Sequence, residues 1–362
     1  MRAALSHDWL NGMRGGEKCL EVFCELYPES DIYTLFYEKG KVSEKVARHP
    51  IYTSALQRAP KIFEYYRYYL PFYPRAMGSF HLKGYDLLIS TSHCAAKGIK
   101  KNQGAVHIAY CFTPMRYAWV LFDEYFGGQN RLSRYFIRSA MERLKKWDLR
   151  TNESVDHFVA ISNHVQKRIN QHYGREAVVI YPPVDTEFYR LDPDVVRENF
   201  YLIVSALVPY KKVDVAVRAF NKLGRELIVI GSGPELGTLK KEAKKNIYFL
   251  NWQPDDVLRN YYQRARALVF PGEEDFGIVP VEAQACGCPV IAYKKGGALE
   301  TVRENISGTF FEKQTEEDLS QTVLRFEREN FSQLEINQAV LRFGRDRFKS
   351  EIKAFIESVV KR

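Results

Sequence analysis

Two glutamates, Glu274 and Glu282, are separated by seven residues and carry groups suited to binding a polar ligand. Glu274 lies in an acidic loop, and Glu282 lies inside a helix predicted to begin after Gly277. The amides at a helix start favour phosphate, whereas a carboxylate suits hydroxyl groups. A ligand with both phosphates and hydroxyl groups would use both. The alternative is that Glu274 caps the helix and Glu282 is an exposed helix residue.

The chain around these glutamates predicts a strand, a loop and a helix in succession. The apolar run 267–270 is too short for a helix and is typical of a buried parallel strand. Cys286 and Gly287 end the helix, a second strand is predicted at 289–292, and the turn at 296–297 begins another helix. This order places the acidic loop at the carboxyl edge of a sheet, where open α/β folds bind ligands.

Lys211 and Lys212 follow the first predicted strand of the second half of the chain. A lysine at a strand-to-helix turn supplies a point charge beside the helix start, which neutralises a diphosphate. The alternative is two solvated lysines. Gly231, in a weak G-x-G turn, and the pair Asn251 and Trp252 also follow predicted strands of this half.

The first half has candidate residues in equivalent places. Gly15 and Gly16 follow the first predicted strand, where glycines allow backbone amides to approach a phosphate or make a tight turn. His93, Thr113 and Arg116 lie just beyond later strands, at the predicted ligand-binding edge. The structural alternatives are that His93 caps a helix and that Arg116 belongs to an ion pair.

Each half alternates strands and helices, which predicts an α/β protein with two Rossmann-like domains that face each other across a cleft. The predicted boundaries are 1–184, 185–345 and a C-terminal helix at 346–362 that packs back on the first domain. Pro182 and Pro183 form a stiff linker. A metal-binding role for Asp192-x-Asp194 is discounted because that motif lies in the linker.

The charge distribution indicates an anionic partner for one domain. The net charge is +9, and all of the excess lies in residues 1–184. Six scattered cysteines indicate reduced thiols, with packing preferred to metal binding for Cys286 and Cys288. No apolar run approaches the length of a transmembrane helix.

Residues 56–83 combine aromatic rings with cations. Eight aromatic residues occur between Phe63 and Phe80, and five basic residues stand against one acidic residue in 56–83. Such a mixture suits the interface of an anionic membrane. The alternative is a core helix, although Pro71 and Pro74 would break a long one. Nucleic acid is disfavoured because no recognisable nucleic-acid module accompanies the segment.

The block from Glu274 to Glu282, with the Gly-Gly turn that follows it, resembles the E-x7-E signature of retaining glycosyltransferases of family GT4, which have the GT-B fold. The segment T-P-M-R-Y-A-W resembles the WbaZ-like mannosyltransferase branch of that family. Phe112 stands where the branch has a histidine, for which His93 or His107 would have to substitute. Ala206 stands where relatives commonly have an arginine.

The resemblance implies transfer of a hexose, with GDP-mannose as the first expected donor, to a lipid-linked saccharide. No cofactor is expected, because the nucleotide-diphosphate sugar is a substrate, and no metal is expected, because the sequence shows no credible metal site. Lys211, the helix amides and Gly16 would stabilise the leaving diphosphate, Glu282 the ribose and Glu274 the sugar. The catalytic candidates are Glu274, Lys211, His93 and Arg116. The donor-binding candidates are Gly15, Gly16, Lys211, Lys212, Gly231, Asn251, Trp252, Glu274, Phe276, Gly277, Ile278, Val279 and Glu282.

The expected place of action is the cytoplasmic face of the cell membrane, in surface polysaccharide synthesis, with 56–83 touching anionic lipid. The alternatives are another nucleotide-sugar donor, a GT-B-type epimerase, or a non-enzymatic basic adaptor at a membrane. A Rossmann dehydrogenase is disfavoured because no G-x-G-x-x-G follows the first strand of either half.

Overall fold

A computed structural model describes residues 1–119 and 131–360 of the chain. It divides into two compact units, and each is described by itself. The first unit contains Met1–Pro183 together with the C-terminal segment from Phe348, and the second contains Val184–Arg347.

The first unit is built on a seven-stranded parallel sheet. The strands are β1 (Ala3–His7), β2 (Asp31–Thr34), β3 (Ile51–Thr53), β4 (Leu87–Ser92), β5 (Val106–Cys111), β6 (His157–Ala160) and β7 (Ala177–Val179). Their order is β3-β2-β1-β4-β5-β6-β7, so the direction of winding reverses between β1 and β4. We call this place the first switch point.

Among the described residues of the first unit, the α-helices before the C-terminal segment are α1 (Gly15–Leu26), α2 (Glu44–Ala47), α3 (Ile62–Tyr65), α4 (Tyr73–Gly78), α5 (Arg116–Trp119), α6 (Arg131–Thr151) and α7 (Asn163–Tyr173). Apolar residues of β1, β4 and β5 are buried on both faces of the sheet, as expected for strands covered by helices. Ser162 caps α7 by accepting a hydrogen bond from the amide of Val165, and Gly174 ends that helix in the left-handed conformation.

The second unit has a six-stranded parallel sheet. Its strands are β8 (Phe200–Val204), β9 (Glu226–Ile230), β10 (Ile247–Leu250), β11 (Ala267–Phe270), β12 (Val290–Tyr293) and β13 (Gly308–Phe311). The order β10-β9-β8-β11-β12-β13 reverses between β8 and β11, which we call the second switch point. The helices are α8 (Val213–Leu223), α9 (Leu236–Glu242), α10 (Asp255–Arg264), α11 (Ile278–Ala285), α12 (Ala298–Thr301), α13 (Glu316–Phe326) and α14 (Gln333–Val340).

A last helix, α15 (Arg345–Val360), carries the chain into the first unit. There the ring of Phe348 packs edge-on against Phe23 of α1 and Tyr110 of β5, with centroids 5.6 and 5.5 Å away. Lys349 pairs with Glu25 at 2.9 Å. Aromatic burial and an ion pair therefore both hold this helix on the first sheet.

The predicted α/β class with two Rossmann-like sheets is confirmed. Within the described part of the chain, no helix is long and apolar enough to cross a bilayer. All six cysteines are buried and unbridged. Burial raises the pKa of Cys24 to about 12 and raises that of Cys286 as well.

Candidate functional site

The second switch point brings Lys211 and Glu274 together. Lys211 ends the short turn that follows β8, and Glu274 lies in the loop that follows β11. Because β8 and β11 are neighbours in the sheet, the two loops meet, and the Lys211 ammonium contacts a Glu274 carboxylate oxygen. Both side chains are largely buried but retain some exposure. A cation and an anion are thus paired where α/β sheets bind ligands.

Gly231 and Gly297 lie where two backbone segments approach each other too closely for a side chain to fit between them. A Cβ at Gly297 would lie 2.3 Å from the Cα of Phe276, and the Gly297 amide donates to the carbonyl oxygen of Glu274 at 2.8 Å. A Cβ at Gly231 would lie 1.9 Å from the carbonyl oxygen of Ser205. Glycine is therefore required at both places, and each supports the backbone of a loop at the second switch point.

Helix α11 begins directly after this acidic loop, with Gly277 preceding its first residue. Ile278 and Val279 present amides that have no partner within the helix, whereas Pro280 has no N–H. The helix start therefore offers backbone donors beside Glu274, an arrangement that favours an anion.

The remaining candidates of this unit have different surroundings. Glu282 is buried on α11 and accepts a hydrogen bond from the hydroxyl of Tyr262 at 3.3 Å. The ring of Phe276 is buried and packs against Phe343, with centroids 5.3 Å apart, so it contributes to the core. Asn251 and Trp252 follow β10, which is the second strand from β8 in the sheet. Both side chains are exposed, at the carboxyl edge of the sheet. Lys212 adopts a left-handed conformation and precedes α8.

The first switch point assembles a second group of polar residues. Asp8 follows β1 and His93 follows β4, and their side chains meet with His93 Nδ1 3.0 Å from an Asp8 oxygen. Gly16, at the start of α1, lies against His7 and Phe112. A Cβ at position 16 would be 3.4 Å from the rings of both residues. The Arg14 amide before Gly15 donates to Glu17 at 3.1 Å, which closes the turn.

Two further residues lie beyond β5. Arg116 is half-buried at the first position of α5. Thr113 is buried, and its hydroxyl has no hydrogen-bond partner among the described residues. A buried hydroxyl without a partner is costly, and a polar ligand atom would satisfy it.

His107 is excluded as a ligand-binding replacement for the histidine that Phe112 displaces. Its ring is buried, with Nε2 2.8 Å from the Ser90 hydroxyl and Nδ1 3.1 Å from the Ser154 carbonyl oxygen. Burial lowers its pKa to about 4. The suggestion from the sequence that His107 could substitute for this histidine is wrong, because β5 directs the His107 side chain into the protein. His93 retains 37% exposure of its side chain.

Residues 56–83 divide into a buried and an exposed face. Tyr73 is buried and packs against Trp9, whereas Tyr65, Tyr68 and Phe72 are exposed, Tyr68 to 80%. These three rings, with Pro60, Lys61 and Tyr69, line an open depression of about 460 Å³. We call this surface the aromatic cup.

A second basic and aromatic surface, which was not predicted from the sequence, lies on α6. The inner face of α6 packs on the core through Met141 and Leu144. Its outer face exposes the aromatic residues Tyr135 and Phe136. The same face also exposes the cations Arg138, Arg143, Lys146 and Arg150. The signal was present in the sequence as seven Lys and Arg residues against two acidic residues between 131 and 151.

Comparison with known proteins gives matches to two family models. The model "Glycosyltransferase Family 4" matches residues 29–188, and the model "Glycosyl transferases group 1" matches residues 189–342. An uncharacterized glycosyltransferase of Methanocaldococcus jannaschii is 30% identical over 174 residues, which are 47% of this chain and 49% of that protein.

A GDP-mannose-dependent alpha-(1-6)-phosphatidylinositol monomannoside mannosyltransferase of Mycolicibacterium smegmatis is 31% identical over 190 residues, which are 44% of this chain and 50% of that protein. The chain thus spans about half the length of the curated relatives it matches. Among solved structures, Anabaena HepE in complex with UDP aligns with a TM-score of 0.71 and 16% identity, covering 99% of this chain and 100% of that one. The fold is that of GT-B proteins, and the predicted fold is confirmed.

Proposed function

We propose that the protein is a retaining GT-B glycosyltransferase. Two glycosyltransferase family models together match residues 29–342, and this match supports a glycosyltransferase family for the chain. It transfers a hexose from a nucleotide-diphosphate sugar to a lipid-linked saccharide in surface polysaccharide synthesis. GDP-mannose is the first candidate donor, in line with the resemblance to the WbaZ-like branch and with the name of the Mycolicibacterium relative. UDP-sugars are the alternative, since HepE was solved with UDP and with UDP-glucose.

The observation that carries this proposal is the contact of Lys211 with Glu274 beside the start of α11. The donor has an anionic diphosphate next to an uncharged sugar rich in hydroxyl groups. An ammonium and helix amides match the diphosphate, and a carboxylate matches the hydroxyl groups. In the free protein the two opposite charges pair with each other. The bound donor would separate them, because its diphosphate would pair with Lys211 and its sugar hydroxyl groups with Glu274.

In the reaction, the bond between the anomeric carbon and the diphosphate oxygen breaks, and a bond to the acceptor oxygen forms on the same face. The acceptor proton passes to the leaving diphosphate, so charge and atoms balance. Lys211 and the amides of Ile278 and Val279 stabilise the negative charge that develops on the leaving group. Glu274 orients the sugar, Glu282 serves the ribose, and no metal-dependent step is invoked.

Two surfaces of the first unit support attachment to an anionic membrane that carries the acceptor. The aromatic cup combines exposed rings with Lys61, and the segment around it also exposes Arg58, Arg67 and Arg75. The outer face of α6 adds a second mixture of rings and cations. Rings of this kind sit at headgroup depth while cations attract anionic lipid, and we therefore propose peripheral binding at the cytoplasmic leaflet.

The test is nucleotide release from a panel of GDP-, UDP-, ADP- and dTDP-sugars by the wild type and by Glu274→Ala. We expect slow hydrolysis of one donor, reduced at least about a hundredfold in Glu274→Ala. Lys222→Ala, which removes an exposed ion pair at the far end of α8, is the matched control and should keep full activity.

Release or binding of no donor would refute the proposal and favour the non-enzymatic adaptor. Hydrolysis accompanied by an epimerised sugar would instead identify an epimerase. Equal activity of Glu274→Ala and wild type would remove Glu274 from the mechanism.

A further inference from the structure

Asp8 is a fully buried carboxylate at the first switch point. Its two oxygens accept hydrogen bonds from four successive backbone amides, those of His93, Cys94, Ala95 and Ala96, at 2.6–3.0 Å. These bonds hold the turn that follows β4. Burial alone would raise the pKa of Asp8, but the nearby His93 and the hydrogen bonds hold that pKa at about 2. Asp8 is therefore an anion at any pH at which the protein works.

The same carboxylate also contacts a side chain, since His93 Nδ1 lies 3.0 Å from Asp8 Oδ2. An ionised carboxylate can only accept a hydrogen bond, so Nδ1 of His93 must be the donor. The ring of Trp9 meets the imidazole edge-on, with centroids 4.8 Å apart, and limits its rotation. When the imidazole is neutral, its proton is thus on Nδ1, and Nε2 is left as an acceptor.

We infer that Asp8 is a positioning residue: it fixes the Nδ1–H form of His93, so that Nε2 of His93 accepts a hydrogen bond from a hydroxyl group of the substrate at the first switch point. The identity of that substrate rests on the proposed function, in which sugars supply the hydroxyl groups. The assignment of the tautomer rests on this structure alone.

The surroundings favour a ligand-directed role for this pair. The four donors that hold the turn after β4 are backbone amides, which residues other than histidine also supply, so these bonds do not require a histidine at position 93. His93 nevertheless keeps more than a third of its side chain exposed, at the edge of the sheet where strand order reverses. Burial lowers the pKa of the neighbouring His7, so that ring adds no positive charge beside the Asp8–His93 pair.

The first test is the tautomer, read from long-range ¹H–¹⁵N correlation spectra of the full chain with ¹⁵N-labelled histidine at pH about 9, where an ordinary imidazole is neutral. The His93 signals are assigned by their loss in His93→Gln. Free imidazole side chains favour the Nε2–H form. We expect the opposite for His93, with the Nδ1–H form in excess by at least about tenfold, because hydrogen bonds to charged groups are strong.

Asp8→Asn removes the charge, and its amide can donate to Nδ1, so the tautomer should shift towards Nε2–H. Ser92→Ala is the matched control, because the Ser92 hydroxyl also faces Asp8, at 3.5 Å, but its removal leaves the charge intact. That variant should keep the wild-type tautomer. A predominant Nε2–H form of His93 in the wild-type protein would overturn the inference.

The second test is a double-mutant cycle on donor or acceptor turnover. We expect His93→Ala and Asp8→Asn each to lower kcat/KM by about tenfold or more, and we expect Asp8→Asn to cause no further loss in the His93→Ala background. An equal loss in both backgrounds would mean that Asp8 acts only through the turn, which would also overturn the inference. Thermal unfolding of all four proteins measures the contribution of the turn separately.

The two proposals fail in different experiments. If no nucleotide sugar is bound or turned over, the proposed function fails, while the tautomer of His93 can still be measured. If the tautomer is wrong in a protein that turns over a donor, the positioning role of Asp8 fails and the function stands.

Discussion

Replacement of Lys97 by methionine is expected to destabilise the first unit strongly. Lys97 lies in the turn that Asp8 holds, and its ammonium is buried 2.8 Å from a carboxylate oxygen of Asp148, which is itself fully buried. The ammonium also donates to the carbonyl oxygen of Asp148 at 2.6 Å and to Asn152 at 2.9 Å. Methionine replaces the unbranched apolar stem of the lysine but provides neither the charge nor the donors.

The size of the effect follows from what remains around Asp148. Breaking a buried ion pair by removing one partner typically costs about 3–5 kcal/mol, because the other charge stays buried. Here the indole of Trp119 and the hydroxyl of Tyr173 each donate to Asp148 Oδ2 at 2.8 Å, and both donors persist in the variant. We therefore expect a loss near the lower limit, about 3 kcal/mol in the free energy of unfolding.

The measurement is urea unfolding followed by circular dichroism, with calorimetry to separate the transitions of the two units. For a unit of this size, about 3 kcal/mol corresponds to a decrease of roughly 6–12 °C in Tm. Lys101→Met is the matched control, since Lys101 pairs with Asp156 closer to the surface. Exposed pairs contribute about 1 kcal/mol or less, so the control should change little.

A second variant tests the reason for the loss. If the cost comes from an uncompensated charge, adding Asp148→Asn to Lys97→Met should recover part of the lost stability. Equal losses for Lys97→Met and Lys101→Met, or no recovery in the double variant, would refute the reasoning.

Three further predictions concern chemistry, pH and membranes. Lys211→Ala should lower turnover by about a hundredfold while the protein still folds, because in the proposed mechanism one charge that stabilises the leaving group is lost. His107 is held neutral, so the unfolded chain binds an extra proton as pH falls below about 6.5, and stability should decrease by on the order of 2–3 kcal/mol towards pH 4. His107→Gln should lack that part of the pH dependence in urea unfolding. Tyr68→Ser combined with Phe72→Ser should weaken co-sedimentation with anionic vesicles by at least about tenfold, since two exposed rings are lost.

Each of these experiments has a control within the chain. Lys222→Ala should retain turnover, and undiminished turnover in Lys211→Ala would contradict its role. His81→Gln changes an exposed histidine and is the matched control for the loss of an imidazole. Tyr248→Ser removes an exposed ring of the second unit and should not affect vesicle binding. If co-sedimentation with vesicles is unchanged in the Tyr68→Ser, Phe72→Ser variant and does not depend on the charge of the lipid, membrane attachment through the aromatic cup is contradicted.

The sequence predicted what depends on local pattern. The strand at 267–270 was predicted residue for residue, because it is a short apolar run followed by a turn. The strands β3 and β13 were missed. Both lie at sheet edges, β3 is only three residues long and β13 begins with glycine, so their pairing with β2 and β12 defines them more than their composition does.

The sites depend on contacts that no local pattern contains. Lys211 and Glu274 were each identified from their own surroundings, but their meeting results from β8 and β11 being neighbours. Asp8 was missed because its partners lie 85–88 residues away in the sequence. What the sequence offered was an acidic residue directly after a strand, which becomes informative once the strand order is known.

The burial of all six cysteines makes the protein a convenient platform for site-directed labelling. Buried thiols react slowly with maleimides, and burial also raises the pKa of Cys24, Cys286 and Cys288, so the wild-type protein should serve as its own unlabelled background. A single cysteine introduced at an exposed position of the aromatic cup, such as Tyr68→Cys, could then carry a polarity-sensitive fluorophore or a spin label. Its emission or its accessibility to relaxation agents would report how deeply that surface enters a bilayer, without removal of any native residue elsewhere.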